Sequence, residues 1–421
     1  MASRSGEMAK PTIIPEVATA KPVGASRSVR PCVRVAAYSV IAILTITLAE
    51  GLAYLYLKTM KGYDGSHLLN YEFDDYKNFS LTPGYVNTEG VYHNAQGFRR
   101  RDDTPLAKSA GVYRIFLMGG STAYGLGSLS RYGQAKYPLL RNDETIDYYL
   151  QEYLNERTDG HKVEVINAAI TSHGSHHHLI YLNQKILRYS PDMVIFIDGF
   201  NDYYPYDKGF DQFRDYAYQA RAHTFMTETT AETWLSYTGW LMFRKSHFVH
   251  VTARALKPVW VQISRMRGAT RKRILVEEAL TNLRANASAN FVKMVERNAL
   301  ILKHEGVEAV FTLQPEIVLE KKKVLTELEH KIYGEMDTEW EENYVEFKNK
   351  AHPIVVEMLT KATARTGGAF YDLTEVFEGV KEDAYTDYCH LTPMGNKRVA
   401  EYLGDKLLPI IRGDRRPDRR G

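Results

Sequence analysis

Residues Tyr113 to Gly127 read YRIFLMGGSTAYGLG. An apolar run, Ile115-Phe116-Leu117-Met118, stops abruptly at Gly119-Gly120-Ser121. The run has the composition of a buried strand. The two glycines let the backbone turn sharply just after it. A small hydroxyl residue is thereby delivered to the carboxyl end of a strand, the edge on which open α/β sheets carry their sites.

The rest of the chain repeats the theme. Four more short apolar runs, Val163–Asn167, Met193–Ile197, Val307–Leu313 and Ala369–Leu373, are separated by stretches of helical period. Asn142 is expected to cap a helix to about Arg157, with Ile146, Leu150 and Leu154 on one face. A polar, His-rich turn follows the second run, then a helix to about Tyr189. Leu280, Leu283, Ala287, Phe291 and Met294 mark a helix from about Glu277 to Glu305. Others are expected around Lys321–His330 and Tyr344–Thr366. Thr392 caps the last helix, Pro393 occupies its first turn, and Val399, Leu403 and Leu407 form its buried stripe. Alternation at this spacing predicts a five-stranded parallel sheet covered on both faces, a three-layer α/β/α sandwich of flavodoxin-like type. A hydrophobic fraction of 44% is enough for such a core.

Upstream, residues 1–34 are rich in Pro, Ala, Ser and Val without a hydrophobic period and are expected to form a disordered tail. Residues 35–57 (VAAYSVIAILTITLAEGLAYLYL) are long and apolar enough to cross a bilayer as one helix. Six basic residues, Arg4, Lys10, Lys21, Arg27, Arg30 and Arg34, precede this span against two acidic ones. The asymmetry predicts a cytoplasmic amino terminus and an extracytoplasmic domain. A cleavable signal peptide with Thr47-Leu48-Ala49 as its processing site is the alternative, disfavoured by the long leading tail. Residues 58–111 are expected as a stalk or N-terminal extension, with Arg99 as a surface charge. Residues 112–411 form the predicted α/β domain, interrupted at about 203–272 by an aromatic and basic helical insertion that caps the sheet edge. Residues 412–421 are expected as a disordered tail.

Charge and cysteine content narrow the function. A formal net charge of +3 on 421 residues gives no electrostatic footprint for nucleic acid. Two cysteines, Cys32 and Cys389, make neither a disulfide framework nor a zinc pattern. His173, His176, His177 and His178 invite a metal reading, but no carboxylate stands at a fixed spacing from them; they are expected on a helix surface or facing substrate, with no metal and no cofactor. Asp198 and Asp372, at strand ends, are expected to be structural.

The loops after the first three runs carry Ser121, Ser172-His173-Gly174 and Asn201, and a later segment carries Asp387-Tyr388-Cys389-His390. In a parallel sheet those loops open on one edge and can converge. Asp387 and His390 are three residues apart, which on one helical turn puts both on one face, so the carboxylate can orient the ring. His390 would then deprotonate Ser121 while Asp387 fixes the tautomer. The α/β-hydrolase elbow G-x-S-x-G is the competing pattern, and Ala123 stands at its last position.

From about Tyr113 to the last helix the chain resembles the SGNH (GDSL-type) hydrolase superfamily. Gly120-Ser121 stands where that family has its nucleophile, though within Gly-Gly-Ser-Thr instead of Gly-Asp-Ser. Gly199-Phe200-Asn201-Asp202 matches the G-x-N-D block, and Asp387-x-x-His390 the D-x-x-H block. Asn167-Ala168-Ala169-Ile170-Thr171-Ser172 matches the run-in of the remaining block, but Ser172 replaces the usual glycine. The resemblance implies catalytic Ser121, Asp387 and His390, and an oxyanion hole from the backbone N–H groups of Ser121 and of Ser172 or Gly174, with the Asn201 amide. It implies a membrane-anchored serine esterase acting on an O-acyl polysaccharide or a lipid. An O-acyltransferase using the same triad, or a catalytically idle glycan- or lipid-binding module, are the alternatives.

Overall fold

A computed structural model describes residues 31–60, 70–203 (apart from 75, 88 and 159–161), 238–239, 242, 245–266, 273–339 and 341–413. The chain divides after Gly51 into two units. The expected span belongs to one continuous helix, Pro31–Met60, so residues 31–34 are helical and not part of a tail. Of this helix, Val33–Met60 is long and apolar enough to cross a membrane, as an anchor or as a signal sequence. Most of the expected insertion, 204–237, lies outside the described residues, as do residues 1–30 and 414–421; Arg412 and Gly413 of the expected carboxyl-terminal tail form the turn that ends the last helix.

The domain is organised on five parallel strands: β3 (Val112–Gly119), β4 (Lys162–Asn167), β5 (Met193–Asp198), β6 (Glu308–Leu313) and β7 (Ala369–Asp372), in the spatial order β4-β3-β5-β6-β7. Each of the five predicted apolar runs is one of these strands. The first crossover runs outward from β3 to β4, and the next returns over β3 to β5. Because such crossovers are right-handed, that reversal sends the connecting helices to opposite faces. One face carries Ile146–Asn155 packed on Pro393–Ile411; the other carries Ser175–Gln184, Lys293–His304 and Tyr344–Thr366. β3 and β5 therefore flank the point where strand order reverses, where doubly wound sheets open a crevice.

Three local readings change. The helix after the Ser121 loop begins at Ile146, because Asn142 lies in a separate 3-10 turn and turns its side chain to Tyr92 and Arg99. The predicted helix 277–305 is Val276–Ala287 joined to Lys293–His304 through a π turn, Ser288–Val292. Helix Glu327–Glu339 starts six residues later than expected.

The expected stalk is the largest correction. Within 70–111 the chain is built into the domain: Leu81 and Phe98 belong to the core, and the Arg99 N–H donates to Asn167 O at the end of β4 (2.9 Å). An antiparallel hairpin, β1 (Tyr71–Asp74) with β2 (Asn78–Leu81), reaches the turn after β4. There Thr171 Oγ1 donates to the Tyr71 hydroxyl at 2.7 Å, and the Phe79 ring lies 4.9 Å from the His173 ring. The segment's polar and aromatic residues gave no apolar run to mark it as part of the domain, yet Leu81 and Phe98 pack into the same core as the five strands.

Candidate active site

The two glycines at the end of β3, Gly119 and Gly120, are dictated by what surrounds them. A Cβ on Gly119 would lie 2.5 Å from Ile197 O and 2.6 Å from the Ala123 Cβ; on Gly120 it would lie 2.4 Å from Asn201 Nδ2. Ser121 is the first residue with room for a side chain, and it opens a single helical turn, Ser121–Tyr124, that ends at Gly125 with φ 82°. The Gly125 and Leu126 N–H groups return to Ser121 O at 3.1 and 3.0 Å. Arg99 holds the far end of this turn. Its guanidinium donates to the carbonyls of Tyr124, Gly125 and Leu140 at 2.5, 2.8 and 2.5 Å and stacks 4.4 Å from the Tyr124 ring centre. Arg99 is thus a buried strut and not a surface charge; three carbonyls in a tight loop need a forked donor. His93 braces the same tyrosine, 3.0 Å from its hydroxyl, and burial pushes its pKa down to about 3, so the ring stays neutral.

The Asp387–His390 block is a closed turn, not the expected helical turn. The Thr386 N–H donates to His390 O at 2.8 Å. Asp387 Oδ1 accepts the N–H groups of Cys389 and His390 at 3.0 and 2.8 Å, and Oδ2 lies 2.6 Å from His390 Nδ1. Oδ2 also accepts the Leu129 N–H at 2.7 Å. Burial by itself would raise the Asp387 pKa; the His390 ring and the N–H donors outweigh it and hold the carboxyl below its ordinary value. His390 Nε2, the opposite ring nitrogen, is buried with no hydrogen-bond partner among the described residues.

Two further contacts bind this turn to the loop that carries Ser121. Thr122 Oγ1 donates to Cys389 O at 3.1 Å, and Ser128 Oγ donates to Thr386 O at 2.7 Å. Residues adjacent in sequence to Ser121 and to His390 are therefore hydrogen-bonded across a gap of 267 positions. Nothing in the sequence marks Thr122 for this role, since its hydroxyl resembles any other helix-turn hydroxyl.

The turn after β4 explains the departure at Ser172. The His173 N–H donates to Ile170 O at 3.1 Å, and Ser172 sits at φ 62°. This is a turn whose third position needs a positive φ, the reason glycine suits it. Ser172 takes the left-handed conformation at a cost of about 1–2 kcal/mol. The Gly174 N–H donates instead to His177 Nδ1 at 3.2 Å, so it is committed to the start of helix Ser175–Gln184 and is a poor oxyanion donor. Asn201 Nδ2 donates to His173 O at 2.9 Å, which brings the turn, Gly120 and the Asn201 amide into one cluster. Asp202 locks it from below, accepting the Ser175 and Gly199 N–H groups at 2.8 and 3.3 Å. Burial, then the neighbouring Asp198, raises the Asp202 pKa to about 7.

All four histidines of the run are buried, against the helix-surface expectation. His173 stacks on His177 with ring centres 4.3 Å apart, and His178 lies 3.2 Å from Asp198. They form a packed floor beneath the second turn. Among the described residues, the potential metal ligands that converge are Asp387, Cys389 and His390, within 4.8 Å. Asp387 and His390 are already hydrogen-bonded to each other, and burial holds the Cys389 thiol well above its ordinary pKa. The trio fits a carboxylate–imidazole pair beside a neutral thiol.

No family model and no curated protein matches the chain. Solved structures similar to it include an acetyl xylan esterase, AlAXEase (12% identity, TM-score 0.36, covering 70% of this chain and 99% of that one). TesA is similar at 14% identity and a TM-score of 0.35, over 70% of this chain and 99% of that one. A putative lipolytic protein of G-D-S-L family from Desulfitobacterium hafniense DCB-2 has 9% identity and a TM-score of 0.31, over 70% and 98%. At these values the likenesses decide neither the chemistry nor the substrate, which are argued from the geometry alone.

Proposed function

We propose that the protein is a serine esterase in which Ser121 attacks the carbonyl carbon of an acyl ester. The observation that carries this reading is the Asp387–His390 pair, closed at 2.6 Å on Nδ1, with Nε2 facing away from the carboxylate and the neighbouring Cys389 hydrogen-bonded to Thr122 beside Ser121. His390 Nε2 takes the Ser121 proton as the new C–O bond forms, and Asp387 stabilises the imidazolium. The carbonyl oxygen becomes an oxyanion, held by the backbone N–H groups of Ser121 and Ser172 and by the Asn201 amide. That amide is held in place by its hydrogen bond to His173 O at 2.9 Å. Collapse of the tetrahedral intermediate expels the alcohol, which takes the proton from His390. Water, deprotonated by the same ring, then releases the acid from Ser121.

Helix Pro31–Met60 is proposed as an uncleaved anchor with its amino terminus in the cytoplasm, which places O-acyl groups of a surface polysaccharide or lipid within reach of the domain. A fluorophosphonate probe tests the nucleophile: labelling of the wild type and none of Ser121→Ala is expected, and an unlabelled, folded wild type would remove the assignment. Transfer in place of hydrolysis would show as acyl-donor turnover that rises with added glycan and yields acylated glycan. Membrane fractionation with and without residues 1–60 tests the anchor; a chain that stays soluble at full length overturns it.

A further inference from the structure

Glu316 follows β6 at the carboxyl edge of the sheet, and Lys348 lies on helix Tyr344–Thr366. Both are buried, and Lys348 Nζ is 2.8 Å from Glu316 Oε1. Neither residue belongs to the proposed catalytic set. The same ammonium sits 3.5 Å from the centre of the Tyr203 ring and 5.7 Å from that of Phe200. Tyr203 also donates its hydroxyl to Glu316 Oε1 at 3.5 Å. Phe200 and Tyr203 bracket Asn201 on the single helical turn Phe200–Tyr203.

Neighbours of the pair reach the turn of the base. The Ile317 N–H, next to Glu316, donates to Tyr388 O at 3.0 Å. The Tyr388 ring packs 5.0 Å from Phe200 and 5.8 Å from the His390 ring. The buried ion pair thus meets the turn that carries the proposed oxyanion amide, and that turn's Phe200 together with Ile317, next to Glu316, meets the turn that carries the proposed base.

Stability is a poor account of such a pair. Removing two charges from water costs as much as, or more than, their attraction returns, and apolar replacements are often neutral. A cation held over aromatic faces does, however, fix the orientation of those rings. We propose that Glu316–Lys348 is a positioning pair that holds the Phe200–Tyr203 turn, and so the Asn201 amide, in register with His390. The proposal rests on the reading of Asn201 as an oxyanion donor.

The test is a cycle on the full-length protein, using a p-nitrophenyl ester and thermal unfolding. The charge-free double variant Glu316→Gln/Lys348→Met avoids stranding one buried charge, which the single variants do. It is expected to melt near the wild type while kcat falls about 10-fold to 100-fold with KM nearly unchanged. In the Asn201→Ala background the same double change is expected to cost less than about 3-fold further, because the amide it positions is gone. A folded double variant with wild-type kcat overturns the proposal, as do losses that multiply in full with Asn201→Ala, or an Asn201→Ala variant with wild-type kcat. A wild type that turns over no ester fails at the earlier step, as a failure of the esterase reading itself.

Discussion

Gly120→Ala is a change of one methyl group placed where the proposed oxyanion hole is narrowest. The new Cβ would lie 2.4 Å from Asn201 Nδ2 and 3.1 Å from His173 O. The first distance is about 1 Å short of ordinary van der Waals contact, so the amide must retreat. Its 2.9 Å hydrogen bond to His173 O then breaks, at about 1 kcal/mol, and overpacking adds about 1–3 kcal/mol. Displacing one oxyanion donor costs about 10²–10³ in kcat, or about 3–4 kcal/mol of transition-state stabilisation. Gly120→Ala is therefore expected to match Asn201→Ala in kcat on a p-nitrophenyl ester, with KM little changed, and to lose about 2–4 kcal/mol in urea unfolding. Gly120→Ala/Asn201→Ala removes the clashing group. It should be more stable than the two single losses summed, by at least about 1 kcal/mol, with kcat no lower than either single variant. A folded Gly120→Ala with kcat within a few-fold of wild type, or strictly additive stabilities, would refute the reasoning.

Arg99→Met strands the carbonyls of Tyr124, Gly125 and Leu140 and should destabilise by at least about 3 kcal/mol in urea, with Arg99→Lys recovering less than half because one ammonium cannot serve a fork of acceptors; a loss under about 1 kcal/mol would contradict the strut. At Ser172, φ 62° should make Ser172→Val less stable than wild type by about 1–3 kcal/mol and Ser172→Asn nearly neutral, as read by thermal unfolding; a tolerated valine would overturn the turn geometry. For Asp202, burial raises the folded pKa from 3.8 to about 7, so the folded state holds a proton there that the unfolded chain releases. Stability from this group is present below about pH 4 and is lost as pH rises toward 7, and the raised pKa of His178, where Asp198 outweighs burial, acts with the same sign at its upper end. The urea-midpoint advantage of the wild type over Asp202→Asn should shrink across that window, while His93, His173, His176 and His177, whose pKa values burial lowers, shift both proteins alike in the opposite sense; parallel curves would count against a protonated Asp202.

Most of the architecture is legible in the chain itself. Four of the five strands are short apolar runs closed by glycine, asparagine or aspartate, β6 is closed by Gln314-Pro315, and most connecting helices show an amphipathic period, so type and order follow from local burial patterns. The last helix is readable to the residue, because Thr392 Oγ1 accepts the Gly395 N–H at 3.0 Å as its capping pattern implies. Ser121, Asn201, Asp387 and His390 are common turn residues taken singly, and become legible as candidates only through their joint order at strand ends and turns on one sheet edge.

Tertiary structure alone decides how those positions meet. Arg99 reads as a surface charge because a cation followed by more cations has no local sign of burial; only the loop folded over it supplies carbonyl acceptors. The histidine run reads as exposed because its partners, Phe79 from the hairpin and Asp198 from β5, are remote in sequence. Glu316 and Lys348, 32 positions apart, carry no motif, and their meaning depends on two aromatic rings from another loop. At Ser172 the chain shows only that glycine is missing. The fold shows why glycine would suit the place, since a positive φ is imposed by the turn and a backbone N–H needs no particular side chain to donate. Residue type and spacing thus determine which groups stand at the sheet edge, whereas the distances that make them a site come from contacts between segments that no local pattern connects.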